Sequence, residues 1–252
     1  MSTTLFDLSS RTALVTGGSK GLGKAMARAL AKAGASVAIS SRHEDELKSA
    51  AAEIGQETHA KVVPLTADMT HRGEVKGLAE RAIAALGKVD ILINNAGGNV
   101  PQPIDQITDE VWNHFVELNL SSCMALTRAL VPQMKDRKWG RVIHISSIMG
   151  FTSIPERSVY SATKSALLGL ARASALDLGK FGITVNCIAP GPFLTELTLT
   201  NFTEEARQKF ADRTALAAGA TPRNWPVRCY YWPARRAATS RAPVWSSTAV
   251  RS

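Results

Sequence analysis

The chain has 252 residues, of which 45% are hydrophobic, and a formal net charge of +9. This composition supports one well-packed core, it excludes a disordered or collagen-like chain, and no apolar run reaches the ~18 residues of a membrane span. The charge does not indicate a nucleic-acid-binding protein, because six of the arginines lie in residues 217–252 and the remaining residues carry 24 basic and 21 acidic side chains.

The cysteines and histidines give no sign of a disulfide framework or a metal site. Cys123, Cys187 and Cys229 lie far apart and form no CxxC pair, which favours a reduced compartment. No histidine has metal-ligand spacing, and His144 is expected to pack from a strand against a helix. Residues 1–11 lack a basic segment followed by an apolar one. We therefore expect a cytoplasmic protein that binds neither a metal, nor a nucleic acid, nor a membrane.

Up to about residue 190, short apolar runs rich in β-branched residues alternate with amphipathic stretches. The predicted strands are residues 12–16, 36–40, 61–66, 90–94, 141–146 and 183–188. The predicted helices are residues 22–33, 44–54, 73–86, 109–135 and 159–181. Strands that are apolar throughout are buried on both faces, and their alternation with helices indicates parallel βαβ units. The sequence predicts an α/β fold of the Rossmann type, a doubly wound parallel sheet with helices on both faces.

A glycine-rich segment, Thr16-Gly-Gly-Ser-Lys-Gly-Leu-Gly23, joins the first strand to the first helix. Glycines permit a tight turn and a close backbone approach to a pyrophosphate, and the helix amino end offers free N–H groups. Such a segment can also be a plain turn, but its place directly after the first strand favours a cofactor site. The predicted cofactor contacts in this loop are Gly17, Ser19, Lys20, Gly21, Leu22 and Gly23.

The end of the second strand indicates which dinucleotide is bound. An acid there would bind the ribose 2′-hydroxyl and repel a 2′-phosphate. This chain has Ser40-Ser41-Arg42 instead, and a guanidinium can bind a phosphate through two hydrogen bonds. Lys20 adds a second cation. We expect NADP(H) rather than NAD(H), with solvated surface charges as the alternative interpretation of Arg42 and Lys20.

Three residues in the second half of the chain predict a proton-transfer site. Tyr160 and Lys164 stand at i and i+4 on one face of a helix, and an ammonium near a phenol stabilises phenolate. Such a phenol can exchange a proton with the oxygen of a carbonyl or an alcohol during hydride transfer. Ser147 ends a strand thirteen residues before Tyr160 and can donate to the same oxygen. Ser146, the preceding residue, is the competing candidate.

Together these motifs resemble the short-chain dehydrogenase/reductase family over about residues 10–216. That family carries Thr-Gly-x-x-x-Gly-x-Gly, Asn-Asn-Ala-Gly and Tyr-x-x-x-Lys in this order, and all three are intact here. The resemblance implies that Asn119, Ser147, Tyr160 and Lys164 are catalytic, with the Asn119 backbone carbonyl joined to Lys164 through water. It also implies a homotetramer or dimer that transfers a hydride between NADP(H) and a keto or secondary-alcohol group of a small molecule.

The resemblance adds further cofactor contacts and leaves the substrate open. Asp68 would lie at the adenine ring, and the turn after the sixth strand would meet the nicotinamide, followed by a substrate lid over residues 193–213. The implied cofactor residues are Arg42, Asp68, Met69, Asn95, Ala96, Gly97, Tyr160, Lys164, Pro190, Gly191, Phe193 and Thr195. Two substrate classes remain, 3-oxoacyl thioesters as in acyl-carrier-protein reductases, and sugars or polyols as in gluconate or glucose dehydrogenases.

After Leu216 the chain departs from the family, which would continue with a helix and a last strand. If each codon is read one base earlier, Trp225, Tyr230, Tyr231 and Trp232 all become leucine. Pro226 and Pro233, which follow tryptophans, both become alanine. These leucines and alanines match the apolar helix that the family has at this place. We therefore hypothesise that one base was lost near the codon of Leu216.

This departure sets the predicted domain organisation and a second functional hypothesis. Residues 1–216 are expected to form one Rossmann domain, while residues 217–252 form an irregular tail. The last strand of the sheet is then expected to be missing. The alternative function is a dinucleotide-binding protein without turnover, either a redox-sensing binder or a chain disabled by its tail.

Overall fold

The protein is described by a computed structural model that covers residues 7–191 and the strand at 244–246. The predicted lid, Phe193, Thr195 and most of the tail lie outside the described residues. Within the described part of the chain, none of the helices has the length and apolar character needed to cross a membrane. The same residues contain no cluster of His, Cys, Asp and Glu side chains suited to a metal ion.

In the described part of the chain, seven parallel strands form one sheet, in the order β3-β2-β1-β4-β5-β6-β7. The strands are β1 Thr12–Thr16, β2 Ser36–Ser41, β3 Val62–Thr66, β4 Ile91–Asn94, β5 Gly140–Ile145, β6 Ile183–Ala189 and β7 Val244–Ser246. The chain winds outward in both directions from β1 and β4, so their carboxyl ends meet at the middle of one sheet edge. Ligands bind at this crevice in open α/β sheets. The predicted doubly wound parallel sheet is therefore confirmed.

Helices cover both faces of the sheet and produce two separate cores. The helices are α1 Gly21–Lys32, α2 Glu44–Thr58, α3 Arg72–Leu86, α4 Asp109–Val116, α5 Ser122–Asp136 and α6 Ser158–Leu178. Alternate residues of each strand point to opposite faces, since Leu14 joins the core under α3, α5 and α6, while Val15 joins the core under α1 and α2. This explains the continuous apolar runs in the central strands.

The prediction that the last strand is missing is wrong. Val244–Ser246 pairs in parallel with Cys187–Ala189 at the edge of β6. The edge of β6 would otherwise leave a row of backbone N–H and C=O groups without partners. The short segment Val-Trp-Ser has the β-branched and aromatic residues that suit an edge strand, so it takes this place despite its unusual surroundings in the sequence.

Candidate active site

The glycine loop between β1 and α1 requires glycine at several positions. Gly17 and Gly21 have φ angles of +65° and +52°, in the left-handed region that other residues rarely adopt. A Cβ placed on Gly23 would lie 2.0 Å from the carbonyl oxygen of Gly17. Any larger residue at Gly23 must therefore push the loop away from α1, which makes this turn unusually sensitive to substitution.

A second turn, after β4, is joined to the glycine loop by a set of hydrogen bonds. The Thr16 hydroxyl accepts from the backbone N–H groups of Asn95 and Ala96, both at 3.0 Å. The Asn95 side-chain amide donates in return to the carbonyl oxygens of Thr16, at 2.9 Å, and Gly17, at 3.2 Å. The predicted cofactor residues of the two turns thus form one rigid surface at the carboxyl ends of β1 and β4.

The amino end of α1 has the features that a diphosphate requires. Lys20 is the N-cap residue, its side chain makes no capping hydrogen bond, and the first turn contains no acidic residue. The first N–H groups of the helix and the positive end of its dipole therefore face the loop without a side-chain anion to neutralise them. The absence of a Cβ on Gly17 and Gly23 gives the backbone a close approach. These residues fit the pyrophosphate of a dinucleotide.

The two cations predicted to bind a 2′-phosphate have different surroundings. Arg42 is exposed at the end of β2 and takes part in none of the salt bridges formed by residues 7–191. The Lys20 ammonium lies 2.6 Å from a carboxylate oxygen of Glu46 on α2. Glu46 is not among the residues predicted from the sequence, and it would compete with a phosphate for Lys20. Arg42 is therefore the stronger of the two candidates.

Asp68, predicted to lie at the adenine ring, is held in a fixed conformation after β3. Its carboxylate accepts hydrogen bonds from the backbone N–H and the hydroxyl of Thr70, both at 2.8 Å. Partial burial alone would raise the pKa of Asp68, but the Thr70 hydrogen bonds and the charges of Arg42 and His71 outweigh burial, so the pKa is lowered. Asp68 therefore stays ionised. The neighbouring Met69 is buried.

Asn119 lies in a π-helical turn, Glu117–Ser121, which divides the predicted helix 109–135 into α4 and α5. The side chain is fully buried. Its amide accepts from the Gly98 N–H at 2.9 Å and donates to the Gly98 carbonyl at 3.0 Å. It also donates to the Thr163 hydroxyl at 3.2 Å. Asn119 thus connects the turn after β4 with α6, and π turns of this kind are frequent at functional sites.

Lys164 is buried on α6, with its ammonium fixed next to Tyr160. Nζ donates to the Ile145 carbonyl at 2.8 Å and lies 5.6 Å from the centre of the Tyr160 ring. A Cβ on the exposed Gly97 would lie 3.3 Å from Nζ and 3.0 Å from Asn119 Oδ1. The absence of a side chain at Gly97 therefore leaves space directly beside both groups. The structure brings Tyr160, Lys164, Asn119 and Gly97 together.

The two serines after β5 are distinguished by their hydrogen bonds. The Ser146 hydroxyl is buried and donates to the Lys164 carbonyl at 2.7 Å, so it is committed to holding α6. The Ser147 hydroxyl accepts from the Met149 N–H at 3.2 Å and donates to no acceptor among the described residues. The next residue, Ile148, donates its N–H to the Pro190 carbonyl at 3.0 Å. Ser147 therefore lies beside the Pro190-Gly191 turn at the same sheet edge.

His144 lies below this site, fully buried in β5. Its Nδ1 is 3.1 Å from the Asn94 side-chain nitrogen, which also donates to the Thr127 hydroxyl. With the Asn94 nitrogen as the donor, Nδ1 is the acceptor and carries no proton. Burial, and secondly the charge of Lys164, lower the pKa of His144 to about 4. The imidazole is therefore neutral at physiological pH.

This depressed pKa predicts that the protein loses stability in mild acid. An unfolded histidine takes up a proton near pH 6.5, whereas folded His144 does so only near pH 4, so stability is complete above the unfolded value and falls as pH decreases. We expect this residue to account for about 2 kcal/mol between pH 7 and pH 5. Urea unfolding at both pH values should give a smaller difference for His144→Asn than for the wild type. Equal differences would contradict the assignment.

Three functional residues were missed in the sequence, although the pattern contained signals for two of them. Thr16 opens the glycine motif, and its hydroxyl joins the two cofactor turns. Thr163 lies within Tyr160-Ser-Ala-Thr-Lys164, three residues after the phenol and therefore on the same helix face. Glu46 gave no signal, because its contact with Lys20 depends on how α2 packs beside α1.

Comparison with known proteins agrees with this geometry. Residues 11–206 match the family described as short chain dehydrogenase. A D-beta-hydroxybutyrate dehydrogenase of Rhizobium meliloti is 36% identical over 200 residues, which cover 79% of this chain and 78% of that protein. The solved L-sorbose reductase of Gluconobacter frateurii, in complex with NADPH and L-sorbose, is 30% identical with a TM-score of 0.89, and the match covers 96% and 97% of the two chains.

A second solved structure contains the other nicotinamide cofactor. It is a 7α-hydroxysteroid dehydrogenase complexed with NADH and 7-oxo glycochenodeoxycholic acid. It is 31% identical, with a TM-score of 0.89, and the match covers 95% of this chain and 94% of that one. Since the family match spans most of the chain, and the relatives named here are dehydrogenases and reductases, this protein belongs to the short chain dehydrogenase family and is an NAD(P)-dependent oxidoreductase.

Proposed function

We propose that the protein transfers a hydride between NADP(H) and a keto or secondary-alcohol group, with Tyr160 as the proton donor and acceptor. The observation that carries this proposal is the position of the Tyr160 ring beside the buried Lys164 ammonium, next to Gly97 at the carboxyl edge of the sheet. A phenol in this position has a cation to stabilise its phenolate form and an open side toward a ligand.

Each of the other residues has a defined part in this reaction. The nicotinamide supplies or accepts the hydride when the cofactor is bound. In reduction, the Tyr160 hydroxyl gives its proton to the oxygen that becomes an alkoxide, and in oxidation the Tyr160 phenolate takes up the alcohol proton. Ser147 donates a hydrogen bond to the same oxygen, which stabilises its developing charge. The hydrogen bond to the Ile145 carbonyl holds the Lys164 ammonium close to the phenol.

The preference for NADP(H) rests on the end of β2. Arg42 is exposed there, without a salt bridge to another described residue, and no acid occupies the position that would repel a 2′-phosphate. The L-sorbose reductase structure contains NADPH, whereas the 7α-hydroxysteroid dehydrogenase structure contains NADH. Relatives thus use both cofactors, and the choice in this chain is inferred from Arg42.

Replacing Arg42 with alanine should reduce the preference for NADPH. Loss of a charged hydrogen bond to phosphate is expected to raise KM for NADPH by about tenfold to a hundredfold, while KM for NADH stays unchanged. Both constants are measured by steady-state kinetics. Lys76→Ala, which removes one exposed cation from α3, is the matched control and should change neither constant. An unaltered NADPH-to-NADH ratio in Arg42→Ala would refute this cofactor assignment.

The substrate is proposed to be a small carbonyl compound, either a 3-oxoacyl thioester or a keto sugar. A panel of both classes with NADPH, run on this chain and on one with the frame restored after Leu216, tests the proposed activity. Consumption of NADPH by either chain supports it. Tight NADPH binding by both chains without turnover of any substrate would instead favour the alternative, a dinucleotide-binding protein without turnover.

A further inference from the structure

A ring of residues, joined by hydrogen bonds and by short stretches of backbone, connects the proposed catalytic residues with β4, β5 and α5. It begins at His144, whose Nδ1 accepts from the Asn94 amide at 3.1 Å. Asn94 donates its second hydrogen to the Thr127 hydroxyl at 3.2 Å, and Thr127 donates to the Cys123 carbonyl at 2.7 Å. His144 and Asn94 are direct neighbours in the register of β5 and β4. The first half of the ring therefore joins two central strands to α5.

The second half of the ring leads from α5 to Tyr160. The Cys123 thiol donates to the Asn119 carbonyl at 3.4 Å, and burial raises the pKa of this thiol, so it keeps its proton. The Asn119 amide donates to the Thr163 hydroxyl at 3.2 Å, and Thr163 donates to the Tyr160 carbonyl at 3.0 Å. From Asn94 to the Tyr160 carbonyl, each residue along the path donates a hydrogen bond to the next one. Both threonine hydroxyls accept one hydrogen bond and donate one.

The ring closes through α6 back to the strand that holds His144. Lys164 Nζ donates to the Ile145 carbonyl, and Ser146 donates to the Lys164 carbonyl. Ile145 and Ser146 directly follow His144 in the chain. A shift of the end of β5 would therefore move Lys164 through both contacts at once.

We propose that His144 is a positioning residue, whose imidazole fixes the end of β5 against Asn94 and so sets the place of Lys164 relative to Tyr160. This inference rests on the proposed role of Tyr160 and Lys164. His144 itself is fully buried, so it contacts neither substrate nor cofactor. Its Nε2 has no hydrogen-bond partner among the described residues, so Nδ1 is the ring atom that makes the contact with Asn94.

Two substitutions distinguish the effect of losing the hydrogen bond from the effect of changing the side-chain volume. In His144→Asn, the amide oxygen can take the place of Nδ1 and accept from Asn94, whereas in His144→Leu both branches are apolar. We expect His144→Leu to lower kcat about tenfold, as for the loss of one hydrogen bond at a buried polar group. KM for substrate and the affinity for NADPH should stay within about twofold. His144→Asn should retain a kcat within about twofold of the wild type.

A measurement that does not depend on turnover accompanies the kinetics. Hydrogen–deuterium exchange of residues 158–164 should be faster in His144→Leu than in His144→Asn, with α3 as the internal reference. Equal kcat values and equal exchange in the two variants would overturn the inference. Tyr160→Phe, assayed alongside, separates the two proposals. Retained turnover in Tyr160→Phe would refute the proposed function. Loss of turnover in Tyr160→Phe, with equal kcat and exchange in the two His144 variants, would refute only the positioning role of His144.

Discussion

Tyr160→Phe should lower kcat for carbonyl reduction by about a thousandfold, the range expected for a positioned general acid. The change removes one oxygen atom and leaves the ring beside the Lys164 ammonium. The alkoxide must then take its proton from water. The measurement is the initial rate of NADPH consumption on the substrate that the panel identifies as turned over, at saturating concentrations of both reactants.

Cofactor binding is the control for this variant. The glycine loop and the turn after β4 are joined by Thr16 and Asn95, without any contribution from the Tyr160 hydroxyl. Tyr160 is also among the implied cofactor contacts, so a fluorescence titration should give an NADPH affinity for Tyr160→Phe that is reduced by no more than about tenfold, the loss of one hydrogen bond. A variant that retains more than about a tenth of wild-type kcat would remove Tyr160 from the role of general acid.

Gly23→Ala should weaken NADPH binding by about tenfold to a hundredfold, the usual cost of forcing a methyl group into a packed site. The new Cβ would lie 2.0 Å from the Gly17 carbonyl oxygen and 2.6 Å from the Asn95 amide nitrogen. Relief of this clash requires the loop to move away from α1, which separates the backbone N–H groups from the diphosphate. A fluorescence titration with NADPH measures the loss.

Gly77→Ala provides a matched control on α3. A Cβ at Gly77 meets no atom within 4 Å, so the methyl group enters open space in the middle of a helix. Alanine has the higher helix propensity by about 1 kcal/mol, and this variant should be slightly more stable with unchanged NADPH affinity. If Gly23→Ala bound NADPH as well as Gly77→Ala does, the glycine loop would not be the diphosphate site.

The positions of the first six strands and their parallel direction were predictable, because each is a separate apolar run that alternates with a helical stretch. The residues at which the helices begin and end were harder to predict from the sequence. Residues 109–135 read as one helix, yet the π turn at Glu117–Ser121 interrupts it. Nothing in local propensity distinguishes such a turn, which here allows Asn119 to reach Gly98 and Thr163. The seventh strand was missed because the free edge of β6, and not the surrounding sequence, determines where it forms.

The site was predictable wherever a motif keeps its residues close in sequence. Tyr160 and Lys164 share one helix face, and their contact follows from the i, i+4 spacing. Contacts between residues that are far apart in the sequence could not be predicted in this way. The pairing of Lys20 with Glu46 and the hydrogen bond of His144 to Asn94 depend on helix packing and strand register. A histidine in an apolar strand reads as a packing residue until its neighbours are known.

Direct transfer of the hydride is the central claim, and isotope labelling tests it most directly. The protein is incubated with a 3-oxoacyl thioester or a keto sugar and with NADPH in which deuterium replaces both hydrogens on the reactive carbon of the nicotinamide ring, and the product is examined by mass spectrometry. We predict that the alcohol carries one deuterium on its carbinol carbon and that Tyr160→Phe forms it far more slowly. An alcohol product without deuterium, formed as NADPH is consumed, would contradict the mechanism.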